Sequence, residues 1–146
     1  MRIKPLILSL FVLLTGCAAQ SNQQTKAASA AECKETPVRH FHVEKTVKSI
    51  VEQVPGVDDA VAVQIDKELH VGIKISNFNR LRFKSIEKNT AKKLKEAFPK
   101  SNIHISSDKA IINELQMLSN TPWSSKREDA CKQKKQMKDI EDRMKG

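Results

Sequence analysis

A chain of 146 residues leaves room for one compact domain, and a net charge of +9 at pH 7 makes it strongly basic. Apolar residues make up 39% and aromatics only 4%, so its core must be small and aliphatic. One apolar run, at the N-terminus, argues against a multi-span membrane protein, and the length and four glycines argue against a two-domain cofactor enzyme or a glycine-rich phosphate loop.

In chain order, Arg2 and Lys4 precede the apolar run Pro5 to Leu14. The run is too short to cross a bilayer, which takes about 20 residues, and reads as an export signal over residues 1–16. It ends Leu14-Thr15-Gly16-Cys17, which resembles a bacterial lipobox. The resemblance implies cleavage before Cys17 and diacylation of its sulfur, with palmitate-type chains holding the protein at the outer face of the cell membrane. Only a thiol supplies the nucleophile for the thioether, and two acyl chains hold stably where one binds marginally. The alternative is an ordinary signal cut after Ala18 or Ala19, with an incidental cysteine.

Residues 17–37 are small and polar and read as a flexible tether. Val38 to Val43 forms a short extended lead-in. Val43, Val47, Ile50, Val51 and Val54 recur at helical spacing, so a helix is expected over Glu44 to Val54, ended by Pro55-Gly56. A strand follows over Asp59 to Asp66. Leu69, Val71, Ile73 and Ile75 then alternate with Glu68, His70, Gly72 and Lys74, as a half-buried strand does. The short turn between them makes the pair antiparallel. A long helix is expected from Asn79 or Arg80 to Phe98, with Phe83, Ile86, Thr90, Leu94 and Ala97 inward. A strand over Asn102 to Ser106 and a helix capped by Ser107 or Asp108 and running through Leu118 complete the domain. Residues 38–120 thus form an α+β domain of order α-β-β-α-β-α, a small two-layer unit with helices on one face of a three-stranded sheet. Residues 121–146 are expected to be a basic, loosely attached tail.

Few residues offer chemistry. His40 and His42 lie on one side of the extended lead-in, near Glu32, Cys33 and Glu35, and two imidazoles can start a metal site. His70 and His104 sit opposite the aliphatic faces of their strands. No dense Cys/His motif is present, so all four read as surface histidines, with no metal or other cofactor expected. Cys33 and Cys131 fit an intramolecular disulfide, two free thiols or intermolecular pairing, and spacing does not choose among them. Asp58-Asp59 reads as turn-shaping carboxylates. No nucleophile elbow, HExxH helix or phosphate loop occurs, so no enzyme is expected and no catalytic residue is assigned.

Lys84, Lys88, Lys92 and Lys95 fall on one side of the long helix at 100° per residue. Arg80 to Lys100 holds eight basic residues against Glu87 and Glu96. On a lipid-anchored protein this stripe suits an anionic surface, whether lipid or an envelope partner, each basic residue adding about 1 kcal/mol. A plain solvated face is the other reading. Aromatic stacking platforms are lacking, so no nucleic-acid partner is expected.

Val54-Pro55-Gly56-Val57-Asp58-Asp59-Ala60-Val61-Ala62-Val63, the strand His70 to Ile75, the Lys-rich helix and Ile103-His104-Ile105-Ser106-Ser107-Asp108, behind a lipobox and tether, resemble the sporulation lipoproteins of the YhcN/YlaJ type. The resemblance spans about Glu44 to Leu118. It implies a lipoprotein of the spore or forespore membrane with a structural or interaction role in sporulation, germination or outgrowth, and no catalytic residues. The Val-Pro-Gly-Val segment is also similar to BON domains and ring-building modules, which makes an oligomerising part of an envelope complex the alternative.

Overall fold

The computed structural model describes residues 33–145. The signal, Cys17 and most of the expected tether lie outside them. The elements are α1 (Phe41–Glu52), β1 (Val57–Ile65), β2 (Glu68–Ile75), a 3-10 segment (Asn77–Arg82), α2 (Phe83–Ala97), β3 (Asn102–Ser106), α3 (Lys109–Asn120) and α4 (Arg127–Lys145). The α+β class and the order through α3 are as expected, and α4 is added.

Local chemistry explains the boundaries. Val47 and Val51 bury one face of α1 against the sheet. The chain turns at Gly56, whose φ of 99° suits glycine, and a Cβ there would meet Ile86 Cδ1 at 2.6 Å. Asp66 takes a left-handed φ of 54° in the β1–β2 turn, a conformation that aspartate tolerates better than most residues. Asp108 caps α3, its Oδ1 accepting from Ala110 N at 2.7 Å and Ile111 N at 3.1 Å. The sheet order is β1-β2-β3, with β1 and β2 antiparallel and β2 and β3 parallel. A parallel neighbour needs a crossover, which α2 supplies. At the other edge Arg39 bridges Ile65, and His40 N donates to Gln64 O at 3.0 Å, so β1 is partly covered.

The layering departs from helices on one face. Ala60 and Ala62 of β1 join Leu69, Val71 and Ile73 of β2 beneath Val47 and Val51 of α1 and Ile86 and Leu94 of α2. Val61, Val63 and Ile65 point the opposite way, into a second core with Ile111, Leu115 and Leu118 of α3 and Met137 and Ile140 of α4. Helices therefore cover both faces, in three layers. The physical reason lies in β1: its Ala-Val-Ala-Val run is apolar at both phases of the strand period, as in strands buried on two sides. Val63 and Ile73, on adjacent strands, face opposite cores. Gly72 lets α3 approach β2, since a Cβ there would sit 2.9 Å from Val61 Cγ1 and 3.1 Å from Ile112 Cγ1.

The loosely attached tail is also corrected. Residues 127–145 form α4, and Ala130, Met137 and Ile140 are buried along one stripe. Few apolar residues suffice because other ties supplement them. Cys33 and Cys131 form a disulfide with a Cα–Cα distance of 5.8 Å. Arg127 Nε donates to Cys33 O at 3.2 Å, Gln133 Nε2 donates to Pro122 O at 2.8 Å, and Lys134 pairs with Asp66 at 2.8 Å. The tether expected through residue 37 stops earlier, because Cys33 and Pro37 are buried against this frame.

Candidate functional site

Two places carry chemistry. The first is the exposed side of α2. Ile86, Thr90 and Leu94 are buried, and the Thr90 hydroxyl donates to Ile86 O at 2.8 Å, so that face is closed. Lys84, Lys88, Lys92 and Lys95 are all exposed, and none joins an ion pair among the described residues. Ala97, expected inward, is exposed because α2 ends there, beyond the edge of the core. Just ahead, the 3-10 segment leaves Phe78 96% and Leu81 100% exposed beside Arg80 and Arg82. Sequence reasoning passed over this pair. Leu81 is out of phase with Ile86, Thr90 and Leu94, and that mismatch was the available signal.

The second place lies between the sheet and α4. His70 stands in the middle of β2, paired with Val63 on one side and His104 of β3 on the other. The two imidazoles stack, with centroids 4.6 Å apart and planes 16° apart. His104 Nε2 is 2.9 Å from Glu68 Oε2, and Asn102 Nδ2 donates to Glu68 Oε1 at 2.6 Å. From α4, Glu141 Oε2 approaches His70 Nε2 to 3.8 Å. Glu141 Oε1 accepts from Lys138 Nζ at 3.2 Å and from Lys145 Nζ. His70 is fully buried, yet neither of its ring nitrogens has a hydrogen-bond partner. A cavity of about 50 Å³ opens beside it, lined by Glu68, His70, Lys138 and Glu141 among others.

Burial above all, and after it nearby His104, push the His70 imidazole down to about 4 against the pull of Glu141 and Glu68. The hydrogen bond from Lys145 first, then that from Lys138, holds the Glu141 carboxyl near 2 against desolvation. At neutral pH the site therefore presents an uncharged imidazole and an ionised carboxylate.

These positions overturn the surface reading of His70 and leave His104 half-buried on the edge strand. Strand alternation placed them correctly on the second face of the sheet, but α4 covers that face. The other histidine set does not assemble. His40 precedes α1, His42 is exposed on its first turn, and Cys33 is bonded to Cys131. Glu32 lies outside the described residues. Asp59 shapes its turn by accepting from Ala60 N at 2.9 Å, and it also pairs with Lys48 at 2.8 Å. The Lys48 hydrogen bond chiefly holds its carboxyl below the usual range. With both cysteines bonded, the described residues hold no free thiol nucleophile.

The described residues thus form a cross-linked α+β domain with a basic helix face that joins no ion pair among them. The family model for the sporulation lipoprotein YhcN/YlaJ matches residues 15–145, and the chain belongs to that family. The match begins two residues before Cys17 and runs through α4, so it includes the helix expected to be a loose tail. Comparison with the curated proteins finds no match. Comparison with the solved structures finds none either.

Proposed function

We propose that this sporulation lipoprotein is a non-catalytic membrane-surface protein of the spore or forespore, anchored through diacylated Cys17, which lays its α2 face on an anionic bilayer during germination or outgrowth. The observation that carries the reading is the pairing of two chemistries in one stretch. Phe78 and Leu81 stand almost fully exposed beside Arg80 and Arg82, directly before Lys84, Lys88, Lys92 and Lys95. A bilayer interface rewards both. Each basic residue near an anionic surface adds about 1 kcal/mol, and each large apolar side chain fully withdrawn from water adds about 1.5–3 kcal/mol. Family membership supports the lipid anchor, since the chain is a sporulation lipoprotein and carries Cys17 in a lipobox.

Replacing Cys17 with Ala is expected to release the protein from membranes or to leave an unprocessed precursor. Detergent phase partitioning checks this, and a variant that matures and partitions like the parent would show that anchoring does not use Cys17.

Vesicle flotation of residues 18–146, made without lipid, tests the face itself. That chain keeps both cores, which lie wholly within residues 33–145. It should bind phosphatidylglycerol vesicles and ignore phosphatidylcholine. Changing the four lysines to Gln preserves helix propensity and should weaken binding at least ~10-fold. The wild-type affinity should fade as salt shortens the Debye length to about 8 Å at 0.15 M. Phe78→Ser with Leu81→Ser should cost affinity that added salt does not mimic. Failure to bind anionic vesicles even at low salt sinks the proposal.

A further inference from the structure

We propose that His70, His104 and Glu141 form a binding site for one divalent transition-metal ion of the zinc type, with Glu68 orienting His104. The observation that demands explanation is His70. Buried polar atoms almost always find a partner, and an orphaned one points to an ion or water that belongs there. Here both nitrogens of a fully buried imidazole are orphaned, and a small cavity with a carboxylate adjoins them. Ligand atoms from His70, His104 and Glu141 all lie within 4.8 Å of one another, the only such group among the described residues.

The donor set selects the metal. Two imidazoles and a carboxylate suit zinc and its neighbours, whereas calcium and magnesium take oxygen ligands. Three protein ligands leave a fourth position for water or an incoming donor, as at open zinc sites. Glu68 completes the chemistry. By accepting from the His104 Nε2–H it leaves the Nδ1 lone pair for the metal, and Asn102 steadies its other oxygen. Carboxylate support of this kind is usual for a metal-bound histidine.

Ligation requires two adjustments, and the structure allows both. Ligands about 2.0–2.2 Å from zinc lie closer together than these atoms do, and a ring's lone pair lies in its own plane, so the stacked imidazoles must splay. His104 sits on the edge strand with a side chain 21% exposed, which leaves it room to turn. Glu141 must loosen its hold on Lys138 and Lys145. Lys138 keeps Asp142 at 2.7 Å, and Lys145, 57% exposed, returns to water. Neighbouring Lys134 is already paired with Asp66.

The test uses residues 18–146 with the disulfide formed and no histidine tag, titrated with Zn²⁺ and with Co²⁺. One ion per chain should bind, raising the melting temperature, and Co²⁺ should show the visible absorption of a four- or five-coordinate site. His104→Ala and Glu141→Gln should each weaken binding at least ~10-fold, and Glu68→Gln by about 10–100-fold, as loss of a supporting carboxylate does. His40→Ala with His42→Ala should change nothing. Imidazole NMR signals of the unaltered protein give a readout independent of whether variants fold, since Zn²⁺ should shift those of His70 and His104. If those signals stay put, or binding is lost with the His40/His42 pair instead, the proposal is overturned.

Discussion

Replacing Val63 or Ile73 with Asp is expected to abolish cooperative folding. Both side chains are 0% exposed and lie within apolar clusters, so a carboxylate at either site would be buried. Each change forfeits about 1.5–3 kcal/mol of apolar burial and adds the larger cost of an unpaired buried charge, or of the shift that neutralises it. A domain of this size holds roughly 5–15 kcal/mol in total, so either change alone consumes most of it. The two test different layers. Ile73 points to α1 and α2, and Val63 to α3 and α4. Far-UV circular dichroism should show no cooperative melt for either variant. A melt like that of the parent protein at one site would mean that its strand is displaced by one residue, which turns every side chain to the other face.

Arg39→Ala is expected to cost about 3–5 kcal/mol, the usual penalty for stranding one half of a buried ion pair. The Arg39 side chain is fully buried. Its Nε and Nη2 donate to the two Glu44 oxygens at 2.8 and 3.0 Å, a forked pairing that Lys cannot copy. The same guanidinium reaches Leu118 O at 3.1 Å, Ser119 O at 3.0 Å and Thr121 O at 3.3 Å, and lies 4.6 Å from the centre of the Phe41 ring. Glu44 Oε1 also accepts from Gln64 N at 2.9 Å. One ion pair thus joins the start of α1, strand β1 and the carbonyls at the end of α3. Arg39→Met with Glu44→Leu should recover much of the loss, because it removes both charges together. Urea denaturation measures both variants. A single change costing under ~1 kcal/mol would show that water, rather than Glu44, satisfies the arginine.

Neither residue of that pair stood out in the sequence, and the reason applies widely in this chain. Features set by neighbouring residues were legible: the valine stripe of α1, the stop at Pro55-Gly56, the alternation of β2, the short antiparallel turn and the Asp108 cap. Each follows from chain geometry within a few positions. The lysine stripe was legible for the same reason, although its exposed apolar neighbours Phe78 and Leu81 were not, since a helix was expected to begin between them, at Asn79 or Arg80.

By itself the sequence determined the class, an α+β domain with its element order through α3, and it points to an export signal and a lipobox-like segment ending at Cys17, outside the described residues. The tertiary structure decided what depends on distant partners. Alternation told that His70 points away from Leu69 and Val71, but not what it meets there. The partner is α4, whose sparse Met137 and Ile140 look too weak to dock until the Cys33–Cys131 disulfide and the second face of β1 are in place. Burial, and with it the neutral imidazole beside Glu141, is a property of two surfaces meeting. The periodicity of one segment records which way a side chain points, while the helix that covers it is chosen by packing across the whole chain.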